Sequence, residues 1–328
     1  MSKQGFIETT EFLTSKGWLN LQNYLTQDVK EVAYYDINTK EIKYCKPISV
    51  SQEYINENIH HWIGTKFDIS IAPESKILRH TQEVKTPAFI DLSKNVKEKC
   101  FSFITSANNY NEEYNITDDE LKLLAWIHTD GGSRYNTWMI YQSKIENVKV
   151  IEELLQRLDL KYTKSSRNRN TTQICGKVLK KKPLISYEFY INAKQPLKIT
   201  KKAVLEDWYN LLSKRQFDIF LDTLILGDGS RHISSPENSM MLYGTKNFID
   251  QLQILCIKNG YSTSIYTYRQ TQYRLNIHKN KQTVRVNSSR KQMTNFYEIP
   301  YKGVVWGIKT INNTLIIRNN GKVSIQAF

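Results

Sequence analysis

The chain has 328 residues, 40 % of them hydrophobic, more than one ordinary domain needs and enough for two cores. Its formal net charge of +14 and pI of about 9.4 point to a polyanionic partner, nucleic acid ahead of an anionic membrane. No apolar run nears the roughly 18 residues of a membrane span, and Met1–Gly5 opens no signal-peptide core, so the expectation is an intracellular protein, cytoplasmic or nuclear, with no membrane partner.

From Gly5 to about Leu92 short alternating runs predict strands: Val32-Ala33-Tyr34-Tyr35, Ile42-Lys43-Tyr44 and Phe67–Ile71, broken by polar turns. Ser93–Thr117 reads as a connector. Residues 118–299 are mixed and hold an internal repeat. From 300 onward the pattern is β again: Gly303–Ile308, a turn at Asn312-Asn313, Thr314–Ile317, and a turn at Asn319-Asn320-Gly321. The four cysteines, Cys45, Cys100, Cys175 and Cys256, have neither the spacing nor the histidines of a zinc site, and are expected to be plain thiols.

The repeat carries the chemistry. Leu123–Gly131 (LLAWIHTDG) and Leu221–Gly229 (LDTLILGDG) are each a helix-length apolar stretch stopped by Asp-Gly, and Ser-Arg follows both. Thr137–Lys144 then matches Ser239–Lys246. Amphipathic helices follow around Val150–Leu160 and Phe248–Asn259, and basic strands open at Tyr162 and Tyr261. The chain therefore predicts two helix–strand–strand–helix–strand–strand units, at about 118–200 and 215–299. In each apolar helix small residues recur four apart: Ala125 and Thr129, then Thr223 and Gly227. Two such stripes let two backbones approach closely and would set Asp130 beside Asp228. Two carboxylates at helix C-termini repel one another and need a cation. Mg²⁺ fits, because it is held by one or two carboxylates together with substrate phosphates. One Asp-Gly alone is an ordinary helix stop; two with matching flanks are not.

These nine-residue stretches resemble the LAGLIDADG homing endonucleases, Leu221–Gly229 the more closely. The resemblance runs from about Asp118 to Gln292. It implies a saddle of two αββαββα units whose antiparallel sheets enter the major groove of double-stranded DNA, with Asp130 and Asp228 as catalytic metal-binding aspartates and short 3′ overhangs as products. Trp126 and His128 depart from the pattern; His128 reads as a packed side chain rather than a ligand. Lys202 resembles the lysine of the family's K-x-I-P block, with Leu205 in place of the proline, and is the expected active-site lysine. For the second unit Lys279 is chosen, with Lys281 and Lys291 competing.

Basic residues are dense around these units: Lys161, Lys164, Arg167, Arg169, Lys177, Lys180, Lys181, Lys182, Lys194 and Lys198 in the first. The second has Arg269, Arg274, Lys279, Lys281, Arg285, Arg290 and Lys291, with no acid between Asp250 and Glu298. They alternate with Tyr, Thr, Asn, Ser and Gln, a pattern suited to phosphates and base edges as well as to a solvated face.

The two ends, 1–92 and 300–328, resemble the Hint fold of inteins: Glu8–Trp18 is similar to the first intein block and Val304–Gly321 to the penultimate one. The splicing groups are missing. Gly5 stands where the nucleophile would be, Ala72-Pro73-Glu74-Ser75 lacks the block's His, Gly307 replaces a cysteine, and Ile325–Phe328 lacks His-Asn. Lys43, Lys46 and Arg79 are candidates for extended DNA contact. The fold expected is α+β, a LAGLIDADG saddle plus an all-β Hint-like domain. The function expected is site-specific cleavage of a long asymmetric DNA site by a monomer, intein-derived and no longer splicing. The alternatives are a self-splicing intein and a nuclease-dead DNA- or RNA-binding protein.

Overall fold

Strands at both ends of the sequence share one core, and that decides the architecture. The computed structural model describes residues 4–80, 87–91, 101–134, 137–169, 173–174, 177–178, 184–192, 202–279, 281–286 and 295–328. Its elements are mixed α+β and mostly strands. The chain divides into two compact units. The terminal unit comprises Met1–Asn109, His232–Met240 and Ile249–Phe328. The central unit comprises Tyr110–Arg231 and Met241–Phe248.

In the terminal unit the long strand Phe296–Lys309 pairs antiparallel along its whole length with Ser49–Ile63, from Phe296↔Trp62 to Lys309↔Ser49. Phe6–Ile7 and Asp68–Ile71 close these two into a barrel. Thr314–Asn319 pairs with Glu11–Thr14 on one side and Lys322–Ala327 on the other. The barrel core holds Phe6, Phe12, Trp62, Phe103 and Trp306, all buried. The short helix α1 (Leu21–Thr26) is capped by Asn20 and buries Leu21 against it.

The later part of the second repeat belongs to this unit. Ser262–Arg269 pairs with Gln272–His278 and, through Ser264↔Lys322, with a terminal strand. Arg318, 2 % exposed, is gripped by Glu11 at 2.6 and 2.7 Å, by Asp250 at 2.6 Å and by Gln253 at 3.0 Å, and lies over the Trp18 ring. A buried guanidinium needs such neutralisation, because desolvation is not recovered by one partner. The boundary between compact units therefore falls inside the segment 118–299 that the sequence reads as one domain. Within the stretch read as a connector, Phe101–Ile104 is a strand paired with Thr283–Val286.

The central unit contains the first repeat. Helix α2 (Asp118–Asp130) leads into Gly131–Arg134 and Thr137–Gln142. Helix α3 (Ile145–Arg157) leads into Tyr162–Arg169, and Leu184–Asn192 completes a four-stranded antiparallel sheet. Along Thr137–Gln142 every second residue is buried (Trp138, Ile140, Gln142), the period of a half-covered strand. Helix α4 (Lys214–Asp228) begins the second repeat. It is followed in sequence by Gly229–Arg231, Ser239–Gly244, α5 (Lys246–Lys258), Ser262–Arg269 and Gln272–His278, so the order of elements repeats. Among the described residues no helix is long and apolar enough to cross a membrane.

Candidate active site

The two Asp-Gly helices start alike. Thr117 caps α2 and exchanges hydrogen bonds with Glu120: Glu120 N donates to Thr117 Oγ1 at 3.2 Å, and Thr117 N donates to Glu120 Oε2 at 2.7 Å. Ser213 and Gln216 form the same box on α4 at 3.2 Å in both directions. Such boxes satisfy helix-end N–H groups that have no partner within the helix. Gln216 also ties the two starts together: its amide donates to Tyr114 O at 2.8 Å, and its oxygen accepts from Tyr114 N at 2.8 Å. The Arg215 guanidinium bridges Glu113 and Asp118.

With their N-termini joined, α2 and α4 run parallel and bring their C-termini together. The small-residue stripe makes this possible. Ala125, Thr129 and Thr223 are buried. Thr129 Oγ1 donates back to Ala125 O at 3.1 Å and Thr223 Oγ1 to Ile219 O at 2.8 Å, so both hydroxyls are satisfied within their own helices. A β-carbon on Gly227 would stand 2.2 Å from Thr129 Oγ1. Each helix then stops at its glycine in extended backbone, Gly131 at φ −86 and Gly229 at φ −102. Glycine is needed there for close approach, since a β-carbon would reach Ile127 O at 2.3 Å or Ile225 Cα at 2.6 Å.

Asp130 and Asp228 are therefore neighbours. A β-carbon at position 227, one residue before Asp228, would already be 3.2 Å from Asp130 Oδ2. Burial and then the Asp228 charge push the half-buried Asp130 carboxyl up to about 6, against the pull of Lys202, Lys144 and the Gln142 hydrogen bond. Asp228 is also raised, by loss of water around it, against Lys202 and Lys144. It keeps substantial contact with solvent, which weakens the effect there.

Lys202 lies within electrostatic reach of both aspartates. His128 is a packed side chain. It is 2 % exposed, stacks on Phe248, bonds Tyr209 Oη through Nε2 at 2.8 Å and accepts the Ala203 N–H on Nδ1 at 3.1 Å. Burial, and next the charge of Lys202, hold it near 3, so the ring is neutral. Ala203 sits at φ +54, which an L-residue adopts only when held. His128 thus clamps the backbone beside Lys202.

Two groups were missed as candidates in the sequence. Gln142 accepts the N–H groups of Ser143 and Lys144 at 2.9 and 3.0 Å and donates to Asp130 Oδ2 at 3.0 Å. Lys144 acts on both carboxylates. The signal was present, because Gln142 and Lys144 end the stretch that matches Ser239–Lys246. Lys279 belongs to the terminal unit and lines a cavity there. It is not among the charges that shift either aspartate. Lys281 lines the same cavity, and Lys291 is outside the described residues.

Two carboxylates from adjoining helix ends suit a hard divalent cation that completes its shell with water and phosphate oxygens. Among the described residues no group of three or more His, Cys, Asp or Glu could form an all-protein metal cage. Of the basic field, Lys180, Lys181, Lys182, Lys194, Lys198 and Arg290 lie outside the described residues, as do the side chains of Arg169 and Lys177. Cys100 and Cys175 lie outside them too, while Cys45 and Cys256 are free thiols.

In the terminal unit Gly5 and Gly307, the positions that the resemblance would assign to splicing groups, are closely packed. Gly5 N donates to Ser75 Oγ at 2.9 Å. Gly5 has φ +141, and a β-carbon on it would meet Trp306 O at 2.4 Å. A β-carbon on Gly307 would overlap the Phe328 ring, at 1.6 Å from its nearest carbon.

No known family matches the sequence, and no curated protein does. Solved structures similar in part include the AceL NrdHF split intein, 21 % identical over 32 % of this chain and 66 % of that one, with a TM-score of 0.28. WhiA from Thermatoga maritima is 14 % identical over 52 % of this chain and 55 % of its own, TM-score 0.37. The homing endonuclease I-DmoI in complex with DNA and Mn is 17 % identical over 49 % and 89 %, TM-score 0.33. The chain spans about two thirds of the first of these and about half of the second. These likenesses are partial and distant, so function is read from the geometry of the site.

Proposed function

We propose that the chain is a site-specific DNA endonuclease that hydrolyses phosphodiester bonds with a divalent cation, Mg²⁺, and that its Hint-like ends descend from an intein that no longer splices. One observation carries the reading: two parallel helices, joined at their starts and sealed by Gly227 against Thr129, present Asp130 and Asp228 side by side with Lys202, Lys144 and Gln142 around them. A binding protein has no use for two crowded carboxylates, which destabilise their own site until a cation arrives.

In the reaction a water oxygen bonds to phosphorus, a bridging P–O bond breaks, and the leaving oxygen gains a proton. A divalent cation, when bound, would supply a lowered water pKa and charge neutralisation. The remaining work falls to the chain. Asp130 and Asp228 would hold the cation. Gln142, fixed by two backbone N–H groups, orients the Asp130 carboxylate. Lys202 and Lys144 offer positive charge where negative charge builds on the phosphoryl oxygens. The two repeats differ in sequence, so each half reads a different half-site and the target is asymmetric. The chain acts as a monomer, because both aspartates are supplied by one polypeptide.

The test is cleavage of a plasmid library of randomised inserts with Mg²⁺, by the native chain and by Asp130→Asn and Asp228→Asn. The native chain linearises a sequence-defined subset, and each variant loses double-strand cutting. Equal behaviour of all three sinks the reading.

A further inference from the structure

The terminal unit holds a second cluster of charge that the aspartate site does not use. Lys66, His232, Ser239, His278, Lys279 and Lys281 line an open cavity of about 590 Å³, with further hydroxyl and amide groups from the 234–238 loop. They come from three separate stretches of sequence. Among the described lining residues none is a carboxylate. His278 is pushed down to about 4 by burial, then by Lys66, Lys281 and His232. Lys66 is lowered by burial and next by Lys281. Lys66 and Lys281 thus crowd one another, with no carboxylate among the described lining residues.

Main-chain and side-chain bonds hold the wall in shape. Lys279 N donates to Asn238 O at 2.9 Å, Ser239 Oγ contacts His278 Nδ1 at 3.2 Å, and Ser234 Oγ contacts His232 Nδ1 at 2.8 Å. Lysine, serine, asparagine and imidazole are the donors that bind phosphate oxygens. A flat carboxylate is better met by the fork of arginine, and among the described residues no arginine lines this cavity. A lysine ammonium, a compact point charge with three donors, suits a tetrahedral oxyanion instead.

We propose that this cavity is a phosphate-binding site, taking either a backbone phosphodiester of nucleic acid or free phosphate. It stands independently of the nuclease reading. The test uses the full chain in metal-free buffer, so cleavage plays no part. With six histidines in the chain, ¹³C-labelled histidine gives few enough signals to follow individually. Inorganic phosphate is expected to shift the His278 and His232 ring signals saturably, and Lys66→Met and Lys281→Met are each expected to weaken that binding at least about tenfold, the loss of one charged hydrogen bond.

A DNA duplex of arbitrary sequence is the second arm. If the source is nucleic acid, the duplex moves the same signals. The slope of log affinity against log salt then becomes shallower by about 0.9 in the variants, because one phosphate fewer is neutralised. If the source is free phosphate, the variants lose phosphate but keep the duplex slope. If neither ligand moves the His278 and His232 signals, or if both variants bind phosphate as the native chain does, the proposal is overturned.

Discussion

Gly227 leaves the space that Thr129 occupies: a β-carbon at 227 would lie 2.2 Å from Thr129 Oγ1 and 3.2 Å from Asp130 Oδ2. Neither atom can retreat easily, because Thr129 is buried and its hydroxyl is bonded within its own helix. Gly227→Ala therefore forces the helix ends apart. The expected cost is about 1–3 kcal/mol from overpacking, read as a lower urea midpoint, with a large loss of cleavage. Gly227→Ala combined with Thr129→Ala restores part of both. Native-like stability and activity in the single variant would refute the packing.

The crowded carboxylates predict how the fold responds to metal. In metal-free buffer at neutral pH, Asp130→Asn removes a half-buried charge next to Asp228 and is expected to melt above the native chain. Mg²⁺ at about a hundred times its Kd should then raise the native chain by about 2.7 kcal/mol and the variant by less. Scanning calorimetry with and without Mg²⁺ measures both. An equal response of the two proteins to Mg²⁺ would remove Asp130 from the metal site.

His128 is a positioning residue for Lys202. Its Nδ1 holds the Ala203 N–H and its Nε2 the Tyr209 hydroxyl, and leucine at 128 fills the space while giving up both bonds. Lys202→Met is expected to lower kcat by about 10²–10³, the scale of one lost charge-stabilising donor. His128→Leu should fall short of that, and the double variant should be no worse than Lys202→Met alone. Purely structural damage at position 128 would instead add to the lysine defect. The double variant's rate relative to the singles decides the matter.

The crowding at Gly5 and Gly307 predicts that placing a nucleophile at either position gives no splicing. Gly5→Cys requires a side chain at φ +141 with its β-carbon 2.4 Å from Trp306 O, and Gly307→Cys collides with Phe328. With peptides fused at both ends, either variant is expected to yield no ligated product by mass spectrometry and to melt lower than the native chain. Recovery of spliced peptide would overturn the steric argument.

Asp68 sets part of the acid stability of the terminal unit. Burial pushes its carboxyl up, but hydrogen bonds from His61 and Asn320, with the charges of His61 and Lys322, outweigh this and hold it below the usual range. A depressed carboxyl contributes stability that is present above its unfolded pKa, near 4, and is lost as pH falls toward the folded value. The native chain should therefore lose stability steeply below about pH 4. Asp68→Asn should be less stable at neutral pH and show a shallower acid slope. Parallel acid slopes for the two proteins, measured by urea titration, would rule this out.

The pairing of Asp130 with Asp228 was legible, because a repeated motif on a small-residue stripe specifies both helix contact and register. The capping boxes at Thr117–Glu120 and Ser213–Gln216 were equally present in the sequence as Thr-x-x-Glu and Ser-x-x-Gln. Lys144 and Gln142 were not found, since their value depends on a strand end meeting a helix end. The lysine of the second unit is not legible along a strand, because which lysine faces which charge is a tertiary property. The compact-unit boundary was hidden for a similar reason: the Arg318 grip on Asp250 and the Ser264↔Lys322 pairing join residues far apart in sequence.

The ladder from Ser49–Lys309 to Trp62–Phe296 carries a consequence for how the protein is made. On a ribosome the strand Ser49–Ile63 emerges long before its partner and must wait for most of the chain to follow. The central unit, nearly one continuous stretch from Tyr110 to Arg231, can form during that wait. Until the late strands arrive, the apolar face of the early strands is uncovered, so the newborn chain exposes its first strands to misassociation for longer than its two Asp-Gly helices.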